Sequence, residues 1–183
     1  MEATQIISEA ARKARLANRT LVAASNDLRS AALYKISGEL TKQSERILAA
    51  NFEDMQRAEE SGMAQSMKDR LLLTSKRIEA MADGMRQVAD LPDPLGRTIN
   101  SRTLPNGLKL TQKSVPFGVV GMVYEARPNV TVDAAAILLK SGNSALLRGS
   151  SSATASNRVL SEIMREVLAT TSISPDVIQS IPD

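Results

Sequence analysis

An asparagine directly behind an arginine and a proline, in Glu125-Ala126-Arg127-Pro128-Asn129, is the first group in this chain equipped for chemistry. A carboxamide fixed at the end of a strand can donate a hydrogen bond to an oxygen that gains negative charge, although a turn-forming asparagine ahead of a helix is the commoner use of the residue. A second cluster, Arg148-Gly149-Ser150-Ser151-Ser152, sets hydroxyls and backbone N–H groups beside a guanidinium at what reads as a helix start. That combination favours an anion such as phosphate, and the same serines also suit plain helix capping. What is missing bounds the chemistry as firmly. The 183 residues include neither cysteine nor histidine, so this chain supplies no thiolate nucleophile, imidazole base or zinc site of the usual kind. Gly149-Ser150-Ser151-Ser152-Ala153 lacks the second glycine of a nucleophile elbow, and no histidine exists to act as its base. Gly118-Val119-Val120-Gly121 is not the Gly-x-Gly-x-x-Gly fingerprint, and no Walker-type Gly-Lys-Ser/Thr occurs.

Each polar cluster follows a short apolar run. Residues 118–123, bounded by Pro116 and the first cluster, suit a strand buried on both faces. Residues 130–139 are apolar nearly all round and close on Lys140-Ser141-Gly142, the pattern of a buried helix with a glycine cap. Residues 144–147 resume a strand. Two strands joined by a helix form a right-handed unit with parallel strands, and open parallel sheets bind ligands at the carboxyl ends of those strands. A further helix from near Ala153 presents Val159, Leu160, Ile163, Met164, Val167 and Leu168 on one face, Ser174-Pro175 breaks it, and Val177-Ile178 begins a third strand. The expected fold class is α/β: a partial, Rossmann-like parallel sheet over 116–183, a helical layer over 2–90 and a projecting hairpin over 97–115.

In the helical layer, residues 2–17 mix apolar and charged positions at helical spacing, and Ser25-Asn26-Asp27 offers N-caps for the next helix. Leu28, Ala32, Leu33, Ile36 and Leu40 form its apolar stripe. The segment 44–61 continues as helix with Ile47, Leu48 and Phe52 inward until Gly62 stops it, and a short helix covers 68–73. Thr74-Ser75 caps a stronger helix whose Ile78, Met81, Ala82, Met85, Val88 and Ala89 fill the core. Residues 91–96 are a breaker cluster, after which 97–104 and 108–115 flank Pro105-Asn106-Gly107 as a largely polar hairpin.

Composition excludes several classes. A net charge of +3 from 23 basic and 20 acidic residues, with two Phe, two Tyr and no Trp, offers neither a phosphate-backbone track nor stacking platforms for nucleic acid. No window approaches the roughly 20 apolar residues of a membrane span, and Met1-Glu2-Ala3-Thr4-Gln5 opens no signal peptide. Arg12, Lys13, Arg15 and Arg19 read as a solvated helix face, because Glu2 and Glu9 oppose a transit peptide. The expected location is cytoplasmic, where the glycosylation sequons at Asn18 and Asn129 are unused.

Residues 115–157 closely resemble the γ-glutamyl phosphate reductase (glutamate-5-semialdehyde dehydrogenase) family of the aldehyde dehydrogenase superfamily, carried by Tyr124-Glu125-Ala126-Arg127-Pro128-Asn129-Val130-Thr131 and Leu139-Lys140-Ser141-Gly142-Asn143. Asp69-Arg70-Leu71, Leu91-Pro92-Asp93-Pro94 and Asn106-Gly107-Leu108 match the same pattern, so the resemblance spans essentially the whole chain. It implies NADPH-dependent reduction of L-glutamate 5-phosphate to L-glutamate 5-semialdehyde with release of phosphate, in L-proline biosynthesis. It places Asn129 as the oxyanion-hole asparagine and Arg148 where the superfamily has its cofactor-ribose lysine, with Gly149, Ser150, Ser151 and Ser152 as the adjoining turn. Ser152 stands where an acidic residue would hold the ribose hydroxyls of NAD, so NADPH is the expected cofactor. Glu125 and Arg127 are the expected substrate contacts, with Arg127 facing a carboxylate or phosphate. The resemblance further implies a homo-oligomer built through the hairpin, and the lability of an acyl phosphate suggests direct transfer from a neighbouring glutamate kinase as a hypothesis. Its nucleophilic cysteine and catalytic domain are absent from these 183 residues, which implies a fragment that is inactive alone. Two alternatives stand beside it: a shortened cofactor-binding or regulatory homologue, and an aldehyde dehydrogenase oxidising a free aldehyde with NAD.

Overall fold

The computed structural model describes residues 3–182; Glu2, at the start of the first expected helix, and Asp183 lie outside the described residues. The chain runs α1 (Ala3–Ala23), α2 (Asn26–Lys42), α3 (Ser44–Glu60), α4 (Gln65–Leu71), α5 (Ser75–Asp90), β1 (Thr98–Thr103), β2 (Lys109–Lys113), β3 (Val119–Val123), α6 (Pro128–Lys140), β4 (Ser144–Arg148), α7 (Thr154–Leu168) and β5 (Ile178–Ser180). Short 3₁₀ turns at Ser151–Ala153 and Pro175–Val177 introduce α7 and β5. β3, β4 and β5 form a parallel sheet in that order, with Val119 opposite Ser144 and Ala145 opposite Ile178. β3, α6, β4, α7 and β5 follow one another in βαβαβ order.

β4 is the central strand, and the alternation of a strand sends its side chains to two different layers. Ser144 faces α1, where its hydroxyl donates to the Ala14 carbonyl and accepts from Asn18 Nδ2, both at 3.2 Å. Ala145 and Leu147 face the other way, into the core shared with α2, α3, α5, α6 and α7. The family-like run before β4 is mostly structural here. Buried Lys140 donates to Asn26 Oδ1, Ser30 Oγ and the Ala89 carbonyl at 2.8 to 2.9 Å, tying α6 to α2 and to the end of α5. Gly142 adopts φ +74°, where a side chain would be strained and would also strike Leu95. Asn143 Oδ1 accepts from Gly118 N at 2.9 Å and so fixes the start of β3.

Four expectations are corrected. β3 is not buried on both faces: it is an edge strand whose last three residues are exposed, Val123 by 74%, because α1 and α6 centre on β4 and leave its carboxyl end uncovered. Leu28 and Phe52 point outward, 50% and 62% exposed, since each stands on the rim of its helix's apolar stripe while the stripe itself is buried. The short helix covers Gln65–Leu71 rather than 68–73, and Leu73, beyond its end, donates its N–H to Asn51 Oδ1 at 2.7 Å. α1 runs to Ala23, six residues past the expected stop. The hairpin stands as expected: β1 and β2 pair antiparallel, Gly107 takes φ +86° in the turn, and every residue of both strands is exposed.

Candidate active site at the carboxyl ends of β3 and β4

The β3–α6 turn is built tightly. Tyr124 N donates to the Arg148 carbonyl at 3.1 Å, Arg127 N to the Glu125 carbonyl at 2.7 Å, and Pro128 then enters α6 at its first position, where a missing N–H costs nothing. Asn129 follows, half-buried, and donates one of its two amide hydrogens to Asp133 Oδ2 at 3.2 Å. That bond, one helical turn long, orients the carboxamide and leaves its second hydrogen available. Partial burial of the Asp133 carboxyl raises its pKa, with the Asn129 bond pulling the other way. Arg127, Asn129 and Asp133 line one cavity of about 410 Å³ together with Asp69, Arg70 and Arg77. Glu125 is exposed beside it, with its Oε2 3.3 Å from Arg70 Nη1 and 3.7 Å from Arg127 Nε.

The turn after β4 departs from expectation. Ser150 caps the 3₁₀ turn through Ser152 N, at 3.3 Å, and its carbonyl accepts Ala153 N. The α7 N–H groups of Ala155 and Ser156 donate to Asp54 of α3 at 3.1 and 2.8 Å, and the Ser156 hydroxyl donates to the same carboxylate at 2.6 Å. The anion expected at this helix start is therefore already present as an internal carboxylate, and a ligand has to be met further out. A cleft of about 330 Å³ lies there, between the ends of β4 and β5, lined by Gly149, Ser150, Asn157, Arg158 and Ser180. Arg148, Ser151 and Ser152 border the turn without lining that cleft. Gly149 is closely packed: a Cβ there would strike the Asn157 amide and come within 3.1 Å of Tyr124 Cε2, so a side chain at this position displaces Asn157.

The two turns share a foundation. Tyr124 Oη and Thr131 Oγ1 are 2.7 Å apart, and Thr131 Oγ1 donates to Asn157 Oδ1 at 2.7 Å, so β3, α6 and α7 are joined directly beneath them. Burial raises the Tyr124 pKa, outweighing the Thr131 bond. Sequence reasoning missed Arg70, Asp133, Asp54 and Arg158. Asp133 had a readable signal, four residues after Asn129 on an expected helix, and Arg70 stands in the family-like run Asp69-Arg70-Leu71. Among the described residues no His/Cys/Asp/Glu group is fit to hold a metal, and no helix is long and apolar enough to cross a membrane.

No family model matches the chain. A γ-glutamyl phosphate reductase of Thermobifida fusca is 48% identical over 176 residues, covering 96% of this chain and 42% of that protein. The solved γ-glutamyl phosphate reductase of Thermotoga maritima superposes with a TM-score of 0.91 at 39% identity, over 94% of this chain and 42% of its own. The yeast γ-glutamyl phosphate reductase gives 0.88 at 34% identity, covering 99% of this chain and 46% of that one. An NAD-dependent benzaldehyde dehydrogenase of Corynebacterium glutamicum, 20% identical with a TM-score of 0.73 over 99% of this chain and 36% of its own, shares the fold. The chain thus spans less than half the length of the relatives it matches. At 48% identity to one γ-glutamyl phosphate reductase and a TM-score of 0.91 to a solved one, the chain is similar over nearly its whole length to a part of the γ-glutamyl phosphate reductases.

Proposed function

We propose that the chain is the N-terminal part of a cytoplasmic reductase that converts L-glutamate 5-phosphate to L-glutamate 5-semialdehyde and phosphate with NADPH, in L-proline biosynthesis. The observation that carries this reading is Asn129, oriented by Asp133 at the wall of a cavity that also holds Arg127, in a chain 48% identical to a named reductase. In this reading Asn129 donates its free amide hydrogen to the acyl oxygen as that oxygen gains charge. Arg127 and Glu125 stand at the substrate's entry. Gly149, Ser150 and Arg158 line the cleft assigned to NADPH, and Arg148, Ser151 and Ser152 belong to the turn beside it. A guanidinium and serine hydroxyls suit a 2′-phosphate, which supports NADPH over NADH. The cofactor supplies hydride when bound; the nucleophile is a cysteine that these 183 residues do not contain. The exposed hairpin at 97–115 serves as an oligomerisation arm, and the lability of an acyl phosphate favours direct delivery from a glutamate kinase.

The test is NADPH oxidation dependent on glutamate 5-phosphate in the full-length protein. Asn129→Ala lowers kcat by about 10²–10³ with KM little changed. An unaltered kcat refutes the assignment. The 183-residue chain alone shows no turnover.

A further inference from the structure

Glu125 Oε2 lies between two guanidinium groups, 3.3 Å from Arg70 Nη1 and 3.7 Å from Arg127 Nε. Arg70 comes from α4 and Arg127 from the β3–α6 turn, 57 positions apart in sequence, yet both line the cavity that holds Asn129 while Glu125 does not. The carboxylate is weakly held. Its side chain is 71% exposed, the arginines are about half exposed, and both separations exceed the roughly 2.7–2.9 Å of a committed charge-assisted bond. An ion pair this open shifts a population by about fivefold at most. Arg77, on the same cavity, differs: it is committed to the Asp69 and Leu72 carbonyls and the Asp69 carboxylate.

A phosphoryl group offers three acceptor oxygens and close to two negative charges, against the single loosely engaged oxygen of Glu125. Two guanidinium forks meet such a group better than they meet a carboxylate at this distance. We infer that Arg70 and Arg127 form a clamp for the phosphoryl group of the substrate, in which Glu125 is an internal stand-in that leaves when phosphate enters. Glu125 thereby competes with substrate rather than contacting it. The identity of the ligand as an acyl phosphate rests on the proposed reaction; the affinity for phosphate does not. Asn129, two residues beyond Arg127, is then positioned for the acyl oxygen of the same ligand.

Titration of the chain with inorganic phosphate and with acetyl phosphate, followed by the NMR signals of Arg127 Nε–H and the Asn129 amide, tests the clamp. Arg70→Met weakens binding by about tenfold or more, Arg70→Lys restores part of it, and Glu125→Gln tightens it by about three- to fivefold. The three substitutions fall on exposed side chains, and thermal melts verify that folding is retained. Unchanged affinity in Arg70→Met overturns the inference, as does weaker binding in Glu125→Gln. Displacement of phosphate by NADP⁺ also overturns it, because the clamp would then serve the cofactor. A clamp that binds acetyl phosphate in a full-length protein unable to reduce glutamate 5-phosphate keeps the inference and refutes the proposed reaction instead.

Discussion

Replacing Asp54 by alanine removes the partner of the α7 helix start, and its effect can be worked from three bonds. Oδ1 accepts from Ala155 N and Oδ2 from both Ser156 N and Ser156 Oγ, all inside a site where Asp54 has no exposure. An exposed N-cap is worth about 0.5–2 kcal/mol, because water replaces the lost acceptor. Here water is excluded, and leaving buried donors without their charged acceptor, at about 1–3 kcal/mol each, costs about 3–5 kcal/mol after partial relaxation. The ion pair with Arg57 adds little, since that arginine is half exposed. With a urea m-value of about 2–3 kcal/mol/M, the unfolding midpoint falls by about 1–2.5 M. Asp54→Asn, which keeps one acceptor oxygen, loses about half as much. Formate at matched ionic strength restores part of the midpoint in Asp54→Ala and leaves the wild type unmoved, because a small carboxylate fits the vacated position. A midpoint shift below about 0.3 M in Asp54→Ala would refute the account, since it amounts to less than about 1 kcal/mol.

Gly149→Ala forces Asn157 out of its bond with Thr131; overpacking of about 1–3 kcal/mol plus about 1 kcal/mol for the lost hydrogen bond predicts a destabilisation of about 2–4 kcal/mol in denaturant unfolding. The double variant with Asn157→Ala then loses less than the sum of the two single changes, and strict additivity counts against the clash. Lys140 supplies a pH dependence. Desolvation lowers its folded pKa, offset in part by Asp93, so the ammonium is disfavoured in the folded state, and stability from this group falls as pH drops through the folded value. Relative to Lys140→Met, the wild type therefore gains stability as pH rises from below that value towards the unfolded lysine value of about 10.4, and a pH-independent difference in unfolding midpoints refutes it.

The central α6–β4–α7 segment was legible because its signals are local: Pro128 opens a helix, Gly142 closes it, and Val159, Leu160, Ile163 and Met164 recur at helical spacing. β3 was misread for a physical reason. A run of Val, Gly and Met has the same appearance on a covered strand and on an open edge, and only neighbouring layers decide between them. Leu28 and Phe52 failed similarly, since periodicity fixes the direction of a stripe but not its width. At the site, Arg127 and Asn129 could be placed from their position after a strand. Asp54 could not, because nothing local links position 54 to 155 and 156, and Arg70 reaches Glu125 only through the docking of α4.

The chain has no tryptophan and two tyrosines, Tyr34 and Tyr124. Tyr34 sits on the outer side of α2 against Asp90, away from both clefts, whereas Tyr124 stands where β3, α6 and the Gly149 turn converge. Nearly all ultraviolet absorbance and emission of the protein thus comes from two phenols, and one of them touches the foundation of both turns. The junction carries its own optical probe: a change in Tyr124 emission intensity or near-ultraviolet circular dichroism is the expected sign that the junction has moved, with no label attached, and Tyr34→Phe removes the overlapping signal of the other phenol.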